Sequence, residues 1–335
     1  MSLFDGPIRL LPAPASAMFI DPDYFIWCGS MIRASDGTCH LFYSRWPRRL
    51  CHNAWVTHSE IAHAVSADPC GPYRHKDVAL AARGAEYWDG LCTHNPTVTA
   101  YGGKYYLYYM GNTGDGIPLR DLNWGHRRNQ RIGVAVAERP DGPWTRFDRP
   151  LIEPEPGFHD AQCTTNPSVT ARIGGGCLMV YKAVGDRGPL PTRGPVVHIV
   201  AEAEDPLGPF VKHKDPVFVA AGVHFPAEDP FIWQTRNGYR AIVKDMAGYF
   251  TGAGRSLALF SSGNGIDWEP DAPPLLSTTQ ILWEGGDLQA LKALERPQLW
   301  LDGNKGVLFC AASTDDEHSF NVHIPVEVGP AIVPD

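Results

Sequence analysis

Pairs of polar residues recur along this chain just before short apolar runs. Four of the five pairs carry side chains that bind hydroxyl groups or exchange protons, and convergence of such unlike groups is typical of ligand sites. The pairs are Cys28-Gly29, His94-Asn95, Thr165-Asn166, Glu228-Asp229 and Glu295-Arg296. For the asparagines the alternative is that an amide before proline caps a turn. The glutamates are poor turn formers, so we predict that they serve a ligand.

The strongest candidate for proton transfer is Glu228, which directly precedes Asp229. Burial or a neighbouring negative charge raises the pKa of a carboxyl group and keeps it protonated near neutrality. We therefore predict that Glu228 is a general acid. His94 is predicted to share that duty or to bind a hydroxyl group. The other polar members of the pairs are predicted to bind the ligand: Asn95, Asn166, Asp229, Glu295 and Arg296.

Three aspartates form a second register, each seven residues before the start of an apolar run. They are Asp23, Asp89 and Asp160. If the segment before each run enters over one shared pocket, these three carboxylates ring that pocket. An aspartate that stabilises the same loop in each repeat would give the same pattern, and this alternative stays open.

Basic residues follow the second apolar run of several repeats. Arg45, Lys182 and Lys244 occupy matching places, with Asp245 beside the last. The loops that come next carry seven arginines and span residues 46–60, 113–130 and 185–195. In a chain with a net charge of -8, this local basic excess predicts a ligand with a carboxylate or sulfate group. A solvated rim of ion pairs is the alternative.

Tryptophans near the same positions favour a carbohydrate ligand. Trp27, Trp88 and Trp124 fall beside the polar pairs or in the long loops. An aromatic face packs against the C–H face of a sugar ring while polar neighbours bind its hydroxyl groups. Any one of the three could instead belong to the core.

The elements that position these residues follow from an internal repeat. Five copies combine an apolar run, a glycine turn and a second aromatic or β-branched run, and the copies beginning at residues 94, 165, 228 and 295 are spaced by 71, 63 and 67 residues. Alternating strands and Gly-Pro turns complete each unit. This period predicts an all-β fold, a five-bladed β-propeller of four-stranded antiparallel blades, with residues 1–335 as a single domain.

The ends of the chain are predicted to close the ring. The last unit stops after the strand at 321–328, so it lacks an outer strand. We predict that the segment around Ile8 to Leu11 supplies it.

Composition limits the partners. The 34 glycines and 30 prolines among 335 residues suit a fold with many turns, and no apolar stretch is long enough to span a membrane. The negative net charge argues against nucleic acid. No signal-peptide pattern opens the sequence, so a cytoplasmic location is expected. The eight cysteines show no C-x-x-C spacing and are interpreted as free thiols.

The repeated x-Asn/Asp-Pro starts, the turns of the type at residues 132–144 (IGVAVAERPDGPW) and the Glu-x-Pro at Glu228 resemble five-bladed β-propeller glycoside hydrolases of families 43 and 117. More distant kin are families 32, 62, 68 and 130. The resemblance covers the whole chain. It implies this propeller fold and glycoside hydrolase activity on an oligosaccharide.

For family 43 the resemblance implies a base Asp on the first blade, a pKa-tuning Asp on the third and an acid Glu on the fourth. Glu228 matches the acid, but Gly29 and Asn166 stand at the other two places. Replacement carboxylates are therefore expected from the second register. We prefer Asp89 or Asp160 as the base, with Asp23 third.

The sequence thus predicts a glycoside hydrolase, exo-acting because long loops would wall off the channel, on an acidic or anhydro-sugar-containing oligosaccharide. Two alternatives remain: a non-catalytic carbohydrate-binding propeller, and a phosphorolytic enzyme whose Arg45, Lys182 and Arg296 hold phosphate. Some families of this fold hold a central calcium ion. No contiguous ligand motif is present here, so no metal or cofactor is expected.

Overall fold

A computed structural model of the chain describes residues 6–329, which form five antiparallel sheets arranged in a ring. Two short strands open the chain: β1 (Ile8–Leu10) and, after a 3-10 turn at Ala15–Ala17, β2 (Met18–Phe19). Blade I then contains β3 (Tyr24–Arg33), β4 (Cys39–Pro47), β5 (Glu60–Ser66) and β6 (Arg74–Leu80). Blade II contains β7 (Cys92–Tyr101), β8 (Lys104–Asn112), β9 (Arg131–Ala137) and β10 (Thr145–Arg146).

The next two blades repeat this order of strands. Blade III contains β11 (Cys163–Ala171), β12 (Cys177–Val184), β13 (Val196–Ala203) and β14 (Val211–Lys212). Blade IV contains β15 (Ala227–Gln234), β16 (Tyr239–Asp245), β17 (Ser256–Ser262) and β18 (Glu269–Thr278). A hairpin of β19 (Gln280–Leu282) and β20 (Leu288–Ala290), which the sequence did not suggest, leads to the last blade.

Blade V joins the two ends of the chain. It contains β21 (Ala293–Asp302), β22 (Lys305–Ser313) and β23 (Ser319–Val328), and β1 is its outer strand. Ile8 pairs with Val328 and Leu10 with Val326, while β2 pairs with the other end of β23. The predicted five-bladed propeller, closed by an N-terminal strand, is confirmed.

The ring closes because each inner strand contacts the inner strand of the next blade, in the order β3, β7, β11, β15, β21 and back to β3. An apolar cluster fills every gap between neighbouring blades. On β22, Val307 and Phe309 face blade I while Leu308 and Cys310 face blade IV. Since both faces of such a strand are buried, the second strand of each repeat reads as a continuous apolar run.

Helix is confined to the long loops. After β4 comes a 3-10 turn at His52–Ala54 and α1 (Trp55–His58), and α2 (Trp124–Arg128) precedes β9. Among the described residues, no helix has the length and apolar character needed to cross a membrane. All eight cysteines are free thiols, as expected.

Candidate active site

Each inner strand is interrupted once, at the same place in every blade. A β-bulge there holds one non-glycine residue in the left-handed region of the backbone. These residues are Cys28 (φ 29°), Asn95 (φ 55°), Asn166 (φ 52°), Asp229 (φ 55°) and Arg296 (φ 53°). A left-handed non-glycine residue costs about 1–3 kcal/mol, and such strain collects at functional sites. Because the five bulges are equivalent, they mark one region of the propeller as a candidate functional site.

The bulged residues join into a ring around the propeller axis, which we call the axial ring. The Cys28 thiol donates to Asn95 Oδ1 at 3.2 Å, and Asn95 Nδ2 donates to Asn166 Oδ1 at 2.5 Å. Asn166 Nδ2 donates to Asp229 Oδ1 at 2.6 Å, and the backbone N–H of Arg296 donates to Asp229 Oδ2 at 3.3 Å. One residue from each blade thus contributes to a single hydrogen-bonded group.

The register in blade I differs from the prediction by one residue. The pair equivalent to His94-Asn95 is Trp27-Cys28, because Cys28 is the bulged residue and Gly29 already pairs with Tyr43. Gly29 has no space for a side chain, since an added Cβ would lie 2.9 Å from Asn321 Nδ2. The prediction that Gly29 occupies the first-blade position is therefore wrong, and Cys28 occupies that position.

A cavity of about 200 Å³ lies over the axial ring. One half of its wall is aromatic and comes from blade I, its loop and the start of blade II: Trp27, Trp46, His52, Trp55 and His94. Trp55 stacks on His94 with 4.9 Å between ring centroids, and Trp46 meets His52 edge-on at 5.4 Å. Flat rings of this kind suit the C–H face of a sugar.

His94 is held in the aromatic half as a neutral imidazole. Its Nδ1 is 2.7 Å from the hydroxyl group of Ser59, which orients the ring. Burial lowers the pKa of His94 well below its ordinary value, and the charges of Arg296, His52 and Lys182 act in the same direction. A neutral ring can bind a hydroxyl group but is a poor acid until it gains a proton.

The other half of the wall is charged and comes from blades III to V. The Glu228 carboxylate forms ion pairs with the ammonium groups of Lys182 and Lys244, the latter at 3.1 Å. Lys244 also pairs with Glu295 at 2.6 Å. One carboxylate oxygen from each of Glu228, Asp229 and Glu295 lies within 4.8 Å of the others. Two glutamates that are 67 residues apart in the chain therefore share one lysine.

The two glutamates differ in their electrostatic surroundings. Burial alone would raise the pKa of Glu228, but the ammonium groups of Lys182 and Lys244 outweigh it and hold the pKa far below the usual range. Burial raises the pKa of Glu295, and the charges of Asp229 and Glu228 add to this against the opposing effect of Lys244. Glu228 is thus an ionised carboxylate, and Glu295 is the more readily protonated of the two.

The same charges act on the lysines and on Asp229. Burial lowers the pKa of Lys182, whereas Glu228 and Glu295 outweigh burial at Lys244 and raise its pKa. Burial and the charge of Glu228 raise the pKa of Asp229. The charges of the three carboxyl groups and both lysines therefore depend on one another, and a proton gained by one carboxyl group changes the charge felt by the others.

The three carboxylates do not fit a calcium site. Calcium takes about six to eight oxygen ligands, and its charge must not be opposed by neighbouring cations. Here the Lys244 ammonium already occupies the space between Glu228 and Glu295, and Asp229 lies 3.5 Å from a guanidinium nitrogen of Arg296. We assign no step to a metal ion.

Arg296 places its guanidinium in the floor of the cavity. The residue is only 2% exposed, yet its Nε, Nη1 and Nη2 have no hydrogen-bond partner. Gln130 and Arg127 line the cavity nearby, and Arg127 Nη1 donates to Gln130 Oε1 at 2.6 Å. Gln130 Nε2 and Trp46 Nε1 are likewise buried donors without partners.

The aspartates predicted as bases do not line this cavity. Asp89 is fully buried within blade II, where it accepts from the Tyr109 hydroxyl group at 2.6 Å and from Arg83 at 2.7 Å. Asp160 repeats the arrangement in blade III, with Tyr181 and Lys212 both at 2.7 Å. The alternative stated for this register, an aspartate that stabilises its own blade, fits these contacts.

Asp23 departs from that register altogether. It is an exposed residue, and its backbone N–H donates to Asp21 Oδ1 at 2.8 Å. It belongs neither to the cavity nor to a buried cluster like those of Asp89 and Asp160. All three aspartates share one spacing in the sequence, but only Asp89 and Asp160 occupy equivalent places in the structure.

Arg45 and Asp245 also lie outside the cavity. The residue opposite Trp27 on β4 is Ser44, so Ser44, and not Arg45, matches Lys182 and Lys244. Arg45 pairs instead with Glu60 at 2.9 Å.

Asp245 organises a loop. Its two carboxylate oxygens accept five backbone N–H groups from residues 247–251, at 2.8 to 3.3 Å. Although burial opposes it, this set of donors holds the pKa of Asp245 below its usual value.

Trp88 packs inside blade II, where it stacks on Tyr109 with 5.7 Å between centroids and donates to the Phe147 carbonyl group. An added Cβ at Gly111 or Gly133 would collide with its ring. Trp27 is thus the only one of the three tryptophans proposed for sugar binding that is among the lining residues described here.

Five lining residues were not among the predicted site residues, and all lie on or beside the loops that the sequence marked as functional. They are Trp46, His52, Trp55, Arg127 and Gln130. The length and the aromatic and basic content of those loops were the available signal. The other nine lining residues were predicted as site residues: Trp27, His94, Asn95, Asn166, Lys182, Glu228, Asp229, Glu295 and Arg296.

Neither a protein-family model nor a curated protein matches the sequence. Solved structures match it at low identity. A family 117 glycoside hydrolase from the marine bacterium Zobellia galactanivorans gives a TM-score of 0.64 at 19% identity, covering 97% of this chain and 90% of that one. A thermostable family-43 glycoside hydrolase gives 0.62 at 14% identity, covering 98% of both chains. The GH43_1 enzyme from Xanthomonas citri complexed with xylotriose gives 0.61 at 15% identity, covering 95% and 90%.

At these identities the likeness shows a shared fold. It is the fold that the sequence resemblance implied, and the alignments run along nearly the whole of each chain. The chemistry of this chain has to be argued from its own cavity.

Proposed function

We propose that this protein is a glycoside hydrolase that acts from the end of an oligosaccharide. The observation that carries the proposal is the pair of carboxyl groups of Glu228 and Glu295, which face one small cavity whose opposite wall is aromatic. Cleavage of a glycosidic bond needs one carboxyl group that protonates the leaving oxygen and a second, ionised one. The fold shared with glycoside hydrolases of families 43 and 117 supports the same conclusion.

The surroundings of the two glutamates suggest their roles, and these differ from the expectation drawn from sequence. Glu228 was expected to be the acid, but two ammonium groups stabilise its ionised form. We assign to Glu228 the carboxylate role, which is to activate water or to stabilise the positive charge that develops on the sugar. Glu295, whose pKa burial raises, is assigned the proton donor.

The size of the cavity supports exo action. A volume of about 200 Å³ is below the roughly 300–1,000 Å³ of sites that enclose larger ligands. One terminal sugar ring fits such a space, whereas a chain passing through it does not. The aromatic wall and the excess of cations suit an acidic sugar better than an anhydro-sugar without a charge.

The two neighbouring carboxyl groups also bear on the two alternatives. A binding module has no need for a partly buried acid and a partly buried ionised carboxylate side by side. A phosphorolytic enzyme needs a phosphate site with few competing anions, and here three carboxylates already lie among the cations. Hydrolysis is therefore the function that the site supports best.

The test is turnover of a panel of plant and algal oligosaccharides by the wild type and by Glu228→Gln and Glu295→Gln. We expect kcat to fall at least about 100-fold in each variant, since each removes one of two groups that act on the same bond. Glu202→Gln is the matched control, because Glu202 pairs with Arg172 and His213 on blade III, away from the cavity. Unchanged kcat in both cavity variants, with any substrate turned over, would remove these glutamates from the mechanism.

A further inference from the structure

The donors in the cavity exceed the acceptors available to them. Among the lining residues, the buried side-chain atoms that lack a hydrogen-bond partner are the three guanidinium nitrogens of Arg296, Nε2 of Gln130 and Nε1 of Trp46. All five are N–H donors. A buried donor without a partner destabilises the folded protein, so a site with several of them is built for a ligand that supplies acceptors.

Three of these five unpartnered donors belong to Arg296, in the floor of the cavity. The residue is 2% exposed, and its only ion pair within residues 6–329 is with Asp229 Oδ1, which is 3.5 Å from Nη1, too far for a strong hydrogen bond. The same Asp229 already accepts from Asn166 and from the Arg296 backbone. The fork of the guanidinium is thus left free to bind a planar group.

The charge of the cavity points the same way. Arg127, Lys182 and Arg296 line the cavity, and Lys244 pairs with two of its carboxyl groups, so four cations act together with Glu228, Asp229 and Glu295. With Glu295 protonated, as its proposed role of proton donor requires, the cations exceed the ionised carboxylates by two. A negatively charged ligand reduces this surplus.

A carboxylate meets all of these conditions. It is a pure acceptor with two oxygens, and it binds an arginine through two parallel hydrogen bonds. A hydroxyl group donates as well as accepts hydrogen bonds, and because it is neutral it leaves the positive charge around the cavity uncompensated. Phosphate carries close to two negative charges, and the carboxylates of Glu228 and Asp229 in the same small space oppose its binding.

We propose that the sugar bound in this cavity is a uronic acid and that Arg296 recognises its carboxylate, with Gln130 as a second donor. This inference rests on the proposed function, because the cavity is taken to hold the terminal sugar of the substrate. Arg296 is then the residue that determines specificity between charged and neutral sugars.

The experiment measures the binding of D-galacturonic acid, D-glucuronic acid, D-galactose, D-glucose and inorganic phosphate by isothermal titration calorimetry, in a buffer free of carboxylate and phosphate. We expect one of the uronic acids to bind wild-type protein at least about 10-fold more tightly than its neutral counterpart. Arg296→Lys keeps the charge but loses the fork, and we expect it to reduce that preference at least about 10-fold. Arg172→Gln, on the surface of blade III, is the control.

Because Arg296 is buried, each variant is checked by circular dichroism and thermal unfolding. Gln130→Met provides a second probe if Arg296→Lys does not fold, and we expect it to weaken uronic acid binding while leaving neutral sugars unaffected. Equal affinity for charged and neutral sugars in the wild type would overturn the inference. So would phosphate that binds more tightly than either uronic acid and displaces it.

The outcomes separate this inference from the proposed function. Hydrolysis of neutral oligosaccharides that depends on Glu228, without a preference for uronic acids, overturns the role of Arg296 and leaves the hydrolase intact. Binding of uronic acids that depends on Arg296, without turnover of any uronic-acid oligosaccharide, supports the carboxylate site and contradicts the hydrolase.

Discussion

The groups that meet at the cavity depend on the direction in which individual side chains point. In blades IV and V the bulged residues Asp229 and Arg296 join the axial ring, and the residues before them, Glu228 and Glu295, face the cavity. A regular strand would turn successive side chains to opposite faces. The left-handed backbone at the bulge brings two consecutive residues to one site, so blades II, IV and V each contribute two consecutive residues to the cavity lining.

At this scale we predict the pH dependence of kcat/KM. Activity requires ionised Glu228, so it falls when pH decreases through a pKa held low by Lys182 and Lys244. Activity also requires protonated Glu295, so it falls when pH increases through a pKa that burial raises above the usual value. Because the limb of Glu228 lies far below the usual range, the expected profile from pH 3 to 9 is a high acidic plateau that falls along one alkaline limb set by Glu295.

Glu295→Gln should remove the alkaline limb from the residual activity, which then varies little with pH. The measurement is kcat/KM from pH 3 to 9 for the wild type and for this variant. A residual alkaline limb in Glu295→Gln would assign the proton donor to another group.

At the scale of the strand and the blade, a repeated buried cluster ties the entry loop to its own sheet. In blade II it joins Asp89 to Tyr109 of β8, and in blade III it joins Asp160 to Tyr181 of β12. A basic residue of the outer strand completes the second cluster, where Lys212 lies 2.7 Å from Asp160. Each cluster connects the loop before the inner strand to the outer edge of the same blade, so its role is structural.

Asp160→Asn tests this assignment against the catalytic one. We expect a loss of about 1–3 kcal/mol in the free energy of unfolding, because a buried carboxylate with two charged or hydroxyl partners is replaced by an amide. We expect kcat to stay within about threefold of the wild type at a temperature where the variant is folded. Urea denaturation and steady-state kinetics measure the two effects. Asp160→Asn with normal stability and a kcat lowered 100-fold would restore Asp160 as the base.

At the scale of the whole molecule, the ring buries histidines between its blades. His198 and His323 are each about 1% exposed or less, and burial lowers the pKa of both to about 3. His323 lies in the β23 interface with blade I, with its ring 4.8 Å from Tyr73 and 5.0 Å from Phe309. The folded ring therefore holds these histidines neutral.

We predict that the protein loses stability in acid well before its carboxylates titrate. In the unfolded chain a histidine has a pKa of about 6.5, so between pH 6.5 and about 3 only the unfolded state carries the proton. Stability is complete above pH 6.5 and falls by about 1.4 kcal/mol per pH unit for each such histidine. Urea denaturation at pH 7.5, 6.0 and 5.0 measures the slope.

His323→Phe removes one of these groups and should lower that slope by about one proton. His318→Phe is the control, since His318 is exposed and paired with Asp315. A slope that His323→Phe leaves unchanged would show that His323 is protonated in the folded state.

The architecture could be predicted from the sequence. Five repeats with period-two strands, glycine turns and Gly-Pro turns predicted a ring of sheets, and the missing outer strand of the last repeat predicted the place of β1. The sequence also predicted most of the residues around the cavity, because the polar pairs and the long loops are local features that survive in the linear pattern. Most of the predicted axial residues, such as Asn95, Asn166 and Glu228, line the cavity for that reason.

The register of each strand and the charges around each carboxyl group depend on pairing in space and could not be read from the sequence. In blade I the bulged residue is Cys28 and not Gly29, and Ser44, not Arg45, lies opposite Trp27, which only the pairing of β3 with β4 shows. Asp160 repeats along the chain as a catalytic residue would, but the strands pair it with Tyr181 in its own blade. The pKa of Glu228 depends on lysines 46 and 16 residues away, and a charge acts through distance in space, which the order of residues does not contain.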